Sequence, residues 1–168
     1  MPALIIRPVT QADLDRCHAI EAACYGPEGA TRKRIERRIA VYLQGLLVAQ
    51  MDGKVVGFIN SGATPRNDIS DEVFKDMVGH EEDGKTMVVF SLAVQPEFQG
   101  RGISRQLMEQ FIEVSRRLEK QQILLLCQAD LIDYYQKYGF VHRGQSRSDH
   151  GDLKWHEMQL ALGASHAE

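Results

Sequence analysis

The chain has 168 residues, 43% of them hydrophobic and 26% charged, and a formal net charge of −3. That is ordinary composition for a globular protein with one proper core, so residues 1–168 are read as a single domain. The slight acidity disfavours nucleic acid as a partner, and no apolar run approaches the ~20 residues that a membrane span requires.

Leu4 to Arg7 reads as a short strand ended by Pro8, reached directly from Met1-Pro2-Ala3 with nothing resembling a signal peptide. Thr10 with Asp13 three residues on is a variant capping box for a helix running to about Tyr25, along which lie Leu14, Cys17, Ile20, Glu21 and Cys24. Gly26-Pro27 breaks it, and Glu28-Gly29 follow in a loop. A second helix spans about Thr31 to Leu43, with Ile35, Ile39, Tyr42 and Leu43 inward and the run Arg32-Lys33-Arg34, Arg37-Arg38 as a solvated face. Leu46 to Met51 and Lys54 to Ser61 are strands joined at Asp52-Gly53, a tight hairpin signal.

Thr64 to Lys85 is a polar excursion, with a short helix expected near Asp71–Val78. It carries Asp68, Asp71, Glu72, Asp76, Glu81, Glu82 and Asp83 against Arg66, Lys75 and Lys85. It is either a solvated loop or a cleft wall whose charge draws a cationic amine. Further on, Gln122 to Cys127 is a continuous apolar strand suited to burial on both faces in parallel pairing. A short helix follows from Ala129 to Tyr138, ending at Gly139. Two late strands, Phe140 to Arg143 and Leu153 to Leu160, close the chain. The three cysteines, Cys17, Cys24 and Cys127, lack metal-ligand spacing, so reduced thiols, no metal and a cytoplasmic location are expected.

Between the excursion and the second apolar strand lies the most informative stretch. Val88 to Val94 is a buried strand bounded by Pro96, Gln99-Gly100-Arg101-Gly102 is a glycine-rich bend, and Ser104 to Leu118 is an amphipathic helix with Leu107, Met108, Phe111, Ile112 and Val114 on its apolar side. A helix leaving such a bend presents unsatisfied N–H groups and the positive end of its dipole, which suits a pyrophosphate. Gly100 and Gly102 allow close backbone approach, and Arg101 and Arg105 add charge. An ordinary β–α turn using glycine for tightness fits the spacing equally well. Neither a P-loop nor a dinucleotide glycine fingerprint is present.

This stretch resembles motif A of the GNAT superfamily of acyl-CoA-dependent N-acyltransferases, with Gln99 at its first position and Gly102 at its invariant one. Ser104 stands where Gly or Ala is usual, and serine is small and also a good helix N-cap. The element order β-α-α-β-β-β-α-β-α-β-β agrees with that superfamily. The resemblance implies an α+β fold: a mixed sheet of about seven strands splayed around an acyl-CoA cleft, with about four helices. It also implies acetyl-CoA as co-substrate, the pantetheine amides pairing with Leu92, Ala93 and Val94. The pyrophosphate would lie in Gln99, Gly100, Arg101, Gly102, Ile103, Ser104 and Arg105.

Leu124 to Phe140, LLLCQADLIDYYQKYGF, and the terminal GDLKWHEMQL are similar to the arylalkylamine (serotonin) N-acetyltransferase branch, with Cys127, Tyr135, Gly139 and Phe140 in register. By that resemblance the Tyr135 hydroxyl serves the leaving thiolate. Read without it, Tyr135 is a core tyrosine on an amphipathic helix. The branch's two catalytic histidines would fall at Val88 and Phe90, which cannot accept a proton. Glu28 is the substitute base implied by related amine acetyltransferases, although an acid at a helix start also suits the dipole. Glu21 and a water chain are further choices, and His156 reads as a structural histidine. The function implied is acetylation of a small primary amine, arylalkylamine or polyamine, by direct attack. The alternatives are a peptide N-terminus or lysine as acceptor, or a non-catalytic acyl-CoA-binding domain. Monomer and homodimer are both left open.

Overall fold

In chain order the elements are β1 (Leu4–Pro8), α1 (Leu14–Tyr25), α2 (Arg32–Val41), β2 (Leu47–Met51), β3 (Lys54–Thr64), β4 (Thr86–Val94), α3 (Ile103–Arg117), β5 (Gln122–Cys127), α4 (Ile132–Gln136), β6 (Val141–Gln145) and β7 (His156–Ala161), with short 3₁₀ turns between them. The computed structural model describes residues 3–66, 72–146 and 154–163. Asp68, Asp71, His150, His166 and the expected strand start at Leu153 lie outside these residues. The seven strands form one sheet in the order β1-β2-β3-β4-β5-β7-β6. β4 and β5 are parallel, while β1–β2, β2–β3, β5–β7 and β6–β7 are antiparallel. The mixed α+β sheet with four helices is the architecture that the sequence patterns predict.

Local chemistry accounts for the boundaries. Asp52 (φ 51) and Gly53 (φ 79) both adopt the left-handed conformation that a two-residue hairpin between β2 and β3 requires. At the first helix, Asp13 accepts the Thr10 N–H at 2.8 Å and its hydroxyl at 3.1 Å, so the expected capping pair forms. It opens a 3₁₀ turn over Gln11–Asp13 that leads into α1. Arg7 binds the same carboxylate through two nitrogens, at 2.8 and 3.0 Å, and holds the Asp13 pKa below the usual carboxylate range. Thr31 caps α2 by accepting the Arg34 N–H at 3.1 Å.

Two compact units emerge from the contacts: residues 1–61 with 91–113, and 62–90 with 114–168. In the first, one apolar cluster joins Leu14, Cys17 and Ile20 of α1, Ile35 and Ile39 of α2, Val48 of β2, Val55 and Phe58 of β3, and Ala93 of β4. Each large side chain fully buried there contributes about 1.5–3 kcal/mol. Two α2 expectations are corrected. Leu43 lies past the end of the helix and is 51% exposed. Arg38, expected on the solvated face, is 2% exposed and donates to Asn60 at 2.8 Å. Position 38 follows Ile35 by three and precedes Ile39, so helix geometry turns it inward whatever its charge.

In the second unit Phe74, Val88 and Leu124 form a cluster with Phe90 and Leu126. The excursion before β4 is tied to the fold: Phe74 and Met77 are buried, and Lys120 donates to the carbonyls of Glu82 and Gly84 at 2.6 Å each. The expected short helix is a 3₁₀ turn at Glu72–Asp76, while Glu81, Glu82 and Asp83 are exposed. Among the described residues no helix is long and apolar enough to cross a membrane.

Candidate functional site

The end of β4 is set by its contacts with β3. Gln95 donates its N–H to the Val56 carbonyl at 2.8 Å, and a Cβ on Gly57 would lie 3.1 Å from the Ala93 carbonyl. Residues 93 and 95 therefore turn their backbone polar groups toward β3. Those groups alternate in direction along a strand, so Leu92 and Val94 turn theirs away from β3. Parallel pairing with β5 begins at Thr86↔Gln122 and ends at Val89↔Leu125, so Phe90–Val94 lie beyond the paired stretch.

Side chains meet the two outward carbonyls. Tyr25 Oη donates to Leu92 O at 2.7 Å, while Gln99 Nε2 and Cys24 Sγ donate to Val94 O at 2.9 and 3.1 Å. Burial raises the pKa values of both the Tyr25 hydroxyl and the Cys24 thiol, and the negative charge of nearby Glu21 adds to the rise, so both groups keep their donor protons. Sequence reasoning missed this pair. The available signal was an aromatic residue at the last position of α1, just before the Gly26-Pro27 break.

Beyond Val94 a 3₁₀ turn at Pro96–Phe98 leads into the bend. Gly100 (φ 79) and Gly102 (φ 81) hold left-handed backbone, and nothing lies within 4 Å of where a Cβ would stand on either. Gln99, Gly100, Arg101 and Gly102 are exposed. α3 starts at Ile103, so its first N–H groups open onto this bend. Ser104 is inside the helix rather than at its cap, and Gly102 precedes the first helical residue. The Gln99 side chain turns back to brace Val94. Arg101 lies over the Phe98 ring at 5.1 Å and donates to Glu97 O at 3.3 Å, while Arg105 pairs with Glu109 at 3.1 Å on the exposed side of α3.

Leu92, Ala93, Val94 and the Gln99–Arg105 bend are thus brought together in one unit, with the turn Gly26–Glu28 beginning directly after Tyr25. Glu28 is exposed in that turn. Glu21 is 4% exposed; its Oε2 accepts the Ala30 N–H at 2.8 Å, and its buried Oε1 meets no hydrogen-bond partner among the described residues. Tyr135 belongs to the other unit. It is buried on α4, edge-on to Tyr134 at 5.1 Å and to Phe140 at 5.8 Å between ring centroids. No histidine lies on β4. His142 of β6 and His156 of β7 face each other, Nε2 to Nδ1, at 3.0 Å.

All three cysteines are free, and burial pushes each thiol up: Cys17 to about 12, Cys127 to about 11, and Cys24 above its ordinary value. None is an activated nucleophile. Among the described residues no group of three or more His, Cys, Asp or Glu side chains is arranged to hold a metal.

The chain belongs to the acetyltransferase (GNAT) family, whose model matches residues 14–140. It is similar to YkwB of Bacillus subtilis, an uncharacterized N-acetyltransferase, at 25% identity over 132 residues, which is 70% of this chain and 58% of YkwB. The chain spans about half the length of the curated relatives it matches. Its fold is similar to the loading GNATL domain of CurA from Lyngbya majuscula, with a TM-score of 0.82 at 16% identity over 95% of this chain and 98% of that one. It is also similar to yncA of Salmonella typhimurium, a putative acetyltransferase solved with its cofactor acetyl-CoA, with a TM-score of 0.70 at 23% identity over 98% and 97% of the two chains.

Proposed function

We infer that the protein transfers an acetyl group from acetyl-CoA to a small primary amine, an arylalkylamine or a polyamine, by direct attack within a ternary complex. The observation that carries this reading is the pair of β4 carbonyls at Leu92 and Val94, turned away from β3 and beyond the stretch paired with β5. They offer acceptors in the rhythm of a strand to the amides of a pantetheine arm. The bend from Gln99 to Arg105 would hold the pyrophosphate through the first N–H groups of α3. The raised thiol pKa values favour direct transfer over an acyl-cysteine route. The acetyl-CoA bound to yncA is in keeping with the same co-substrate.

The residues would divide the work as follows. A free alkylamine has a pKa near ~10 and arrives protonated, so a group must drain that proton; Glu28, exposed in the turn after Tyr25, would take that role. Tyr135 would give its hydroxyl proton, or a hydrogen bond, to the departing thiolate. The arylalkylamine assignment rests on the register of Cys127, Tyr135, Gly139 and Phe140.

The test is thiol release from acetyl-CoA with phenethylamine, tryptamine, spermidine and a short peptide side by side, with products weighed by mass spectrometry. Turnover on an aromatic amine or on spermidine, reduced in Glu28→Gln, is expected. Turnover on the peptide alone would move the acceptor to proteins. Acetyl-CoA binding with no release on any amine would overturn the catalytic reading.

A further inference from the structure

A strand whose carbonyls point away from its neighbour leaves an open edge, and open edges in native sheets are normally covered. Here three side chains do the covering: Tyr25 on Leu92, and Cys24 and Gln99 on Val94. Their positions differ from those of the core. Tyr25 is 44% exposed and is the last residue of α1, followed by Gly26 at φ 58. Gln99 is exposed in the bend, and Cys24 is half-buried.

We propose that Tyr25 is a removable cap on this edge, a residue that sets the affinity for the acyl donor by competing with its pantetheine arm for the Leu92 carbonyl. The proposal rests on the acetyl-CoA reading above. The arm carries two secondary amides along an extended chain, so it adds to β4 as another strand would. An amide nitrogen donating to Leu92 O sits ~2.9 Å from that oxygen, on the side that faces away from β3. The Tyr25 hydroxyl already donates to that oxygen at 2.7 Å. The phenol therefore competes with the arm's amide for this oxygen, and its removal leaves both lone pairs to the arm. Cys24 and Gln99 cover Val94 in the same way, the thiol being the weaker donor. The unloaded edge is thus kept from pairing with other strands, while the acyl donor binds in competition with an existing hydrogen bond.

Calorimetric titration tests the proposal, using acetyl-CoA and, separately, adenosine 3′,5′-bisphosphate, which lacks the pantetheine arm. Tyr25→Phe keeps the ring and removes only the donor. It is expected to bind acetyl-CoA about two- to tenfold more tightly than wild type, the worth of one competing hydrogen bond, and adenosine bisphosphate equally well. Tyr25→Leu, which removes the ring as well, is expected to tighten acetyl-CoA binding in the same direction. Unchanged or weaker acetyl-CoA binding in a Tyr25→Phe protein that melts with wild type would overturn the cap, as would equal tightening for both ligands. A wild-type protein that binds no acetyl-CoA would instead remove the reading on which the cap depends.

Discussion

Arg38 and Asn60 meet in the interior of the first unit, guanidinium Nη1 to carboxamide Oδ1 at 2.8 Å, with the two residues 2% and 0% exposed. Asn60 passes the contact on, its Nδ2 donating to Ser91 Oγ at 3.0 Å. One polar chain thus ties α2 and β3 to the β4 residue just before Leu92. Removing the acceptor while keeping the buried charge is the costlier change. Asn60→Leu is expected to lose about 2–3 kcal/mol of stability, and Arg38→Met less, as read by urea denaturation. Asn60→Leu should also raise KM for acetyl-CoA, because β4 loses its brace at Ser91.

His80 gives the protein a pH dependence of definite sign. Its Nδ1 accepts the Ala63 N–H at 3.0 Å, which requires that nitrogen to carry no proton. Burial lowers its pKa, with the Lys120 charge adding to the effect and Glu82 opposing it. The unfolded chain takes up a proton near pH ~6.5, so below that value it binds more protons than the folded state does. This contribution is complete above pH ~6.5 and is lost as pH falls through the window beneath it. Urea midpoints measured from pH 8 down to pH 5 should fall in wild type and fall less in His80→Gln, whose amide oxygen can accept the same N–H. Parallel curves would refute the assignment.

Gly102 tests the bend. A Cβ there meets no atom within 4 Å, so the penalty of a side chain comes from the backbone at φ 81 rather than from a clash. Gly102→Ala is expected to cost roughly 1–2 kcal/mol in thermal or urea unfolding, and Gly102→Asn less, because asparagine tolerates the left-handed region better. Both should weaken acetyl-CoA binding. A fully stable Gly102→Ala protein would show that the bend relaxes without it.

Tyr135 separates a chemical role from a packing one. Tyr135→Phe retains the edge-on contacts with Tyr134 and Phe140 and deletes only the hydroxyl. If that hydroxyl serves the leaving thiolate, kcat falls by roughly 10²-fold while KM for acetyl-CoA stays within about twofold. A donor with a more acidic leaving thiol should be less affected, since it needs the proton less. Full activity in Tyr135→Phe would leave the residue with a structural role only.

Much of this protein was already determined by the sequence, and the reasons are local. Asp52-Gly53 could only be a left-handed hairpin, Thr10 and Asp13 could only close one turn, and the apolar runs Val88–Val94 and Gln122–Cys127 could only be buried strands. The glycine spacing from Gln99 to Gly102 likewise carries the bend, since backbone at φ near 80 leaves few other residues available. The tertiary structure decided what depends on residues far apart in the chain. Arg38 is basic among basic neighbours, and only the packing of α2 over β3 places it against Asn60. Tyr25 and Leu92 are 67 positions apart, and Cys24 and Val94 are 70. No periodicity links such pairs; their meeting depends on where β4 outruns its partner and which side chain then reaches the exposed carbonyl.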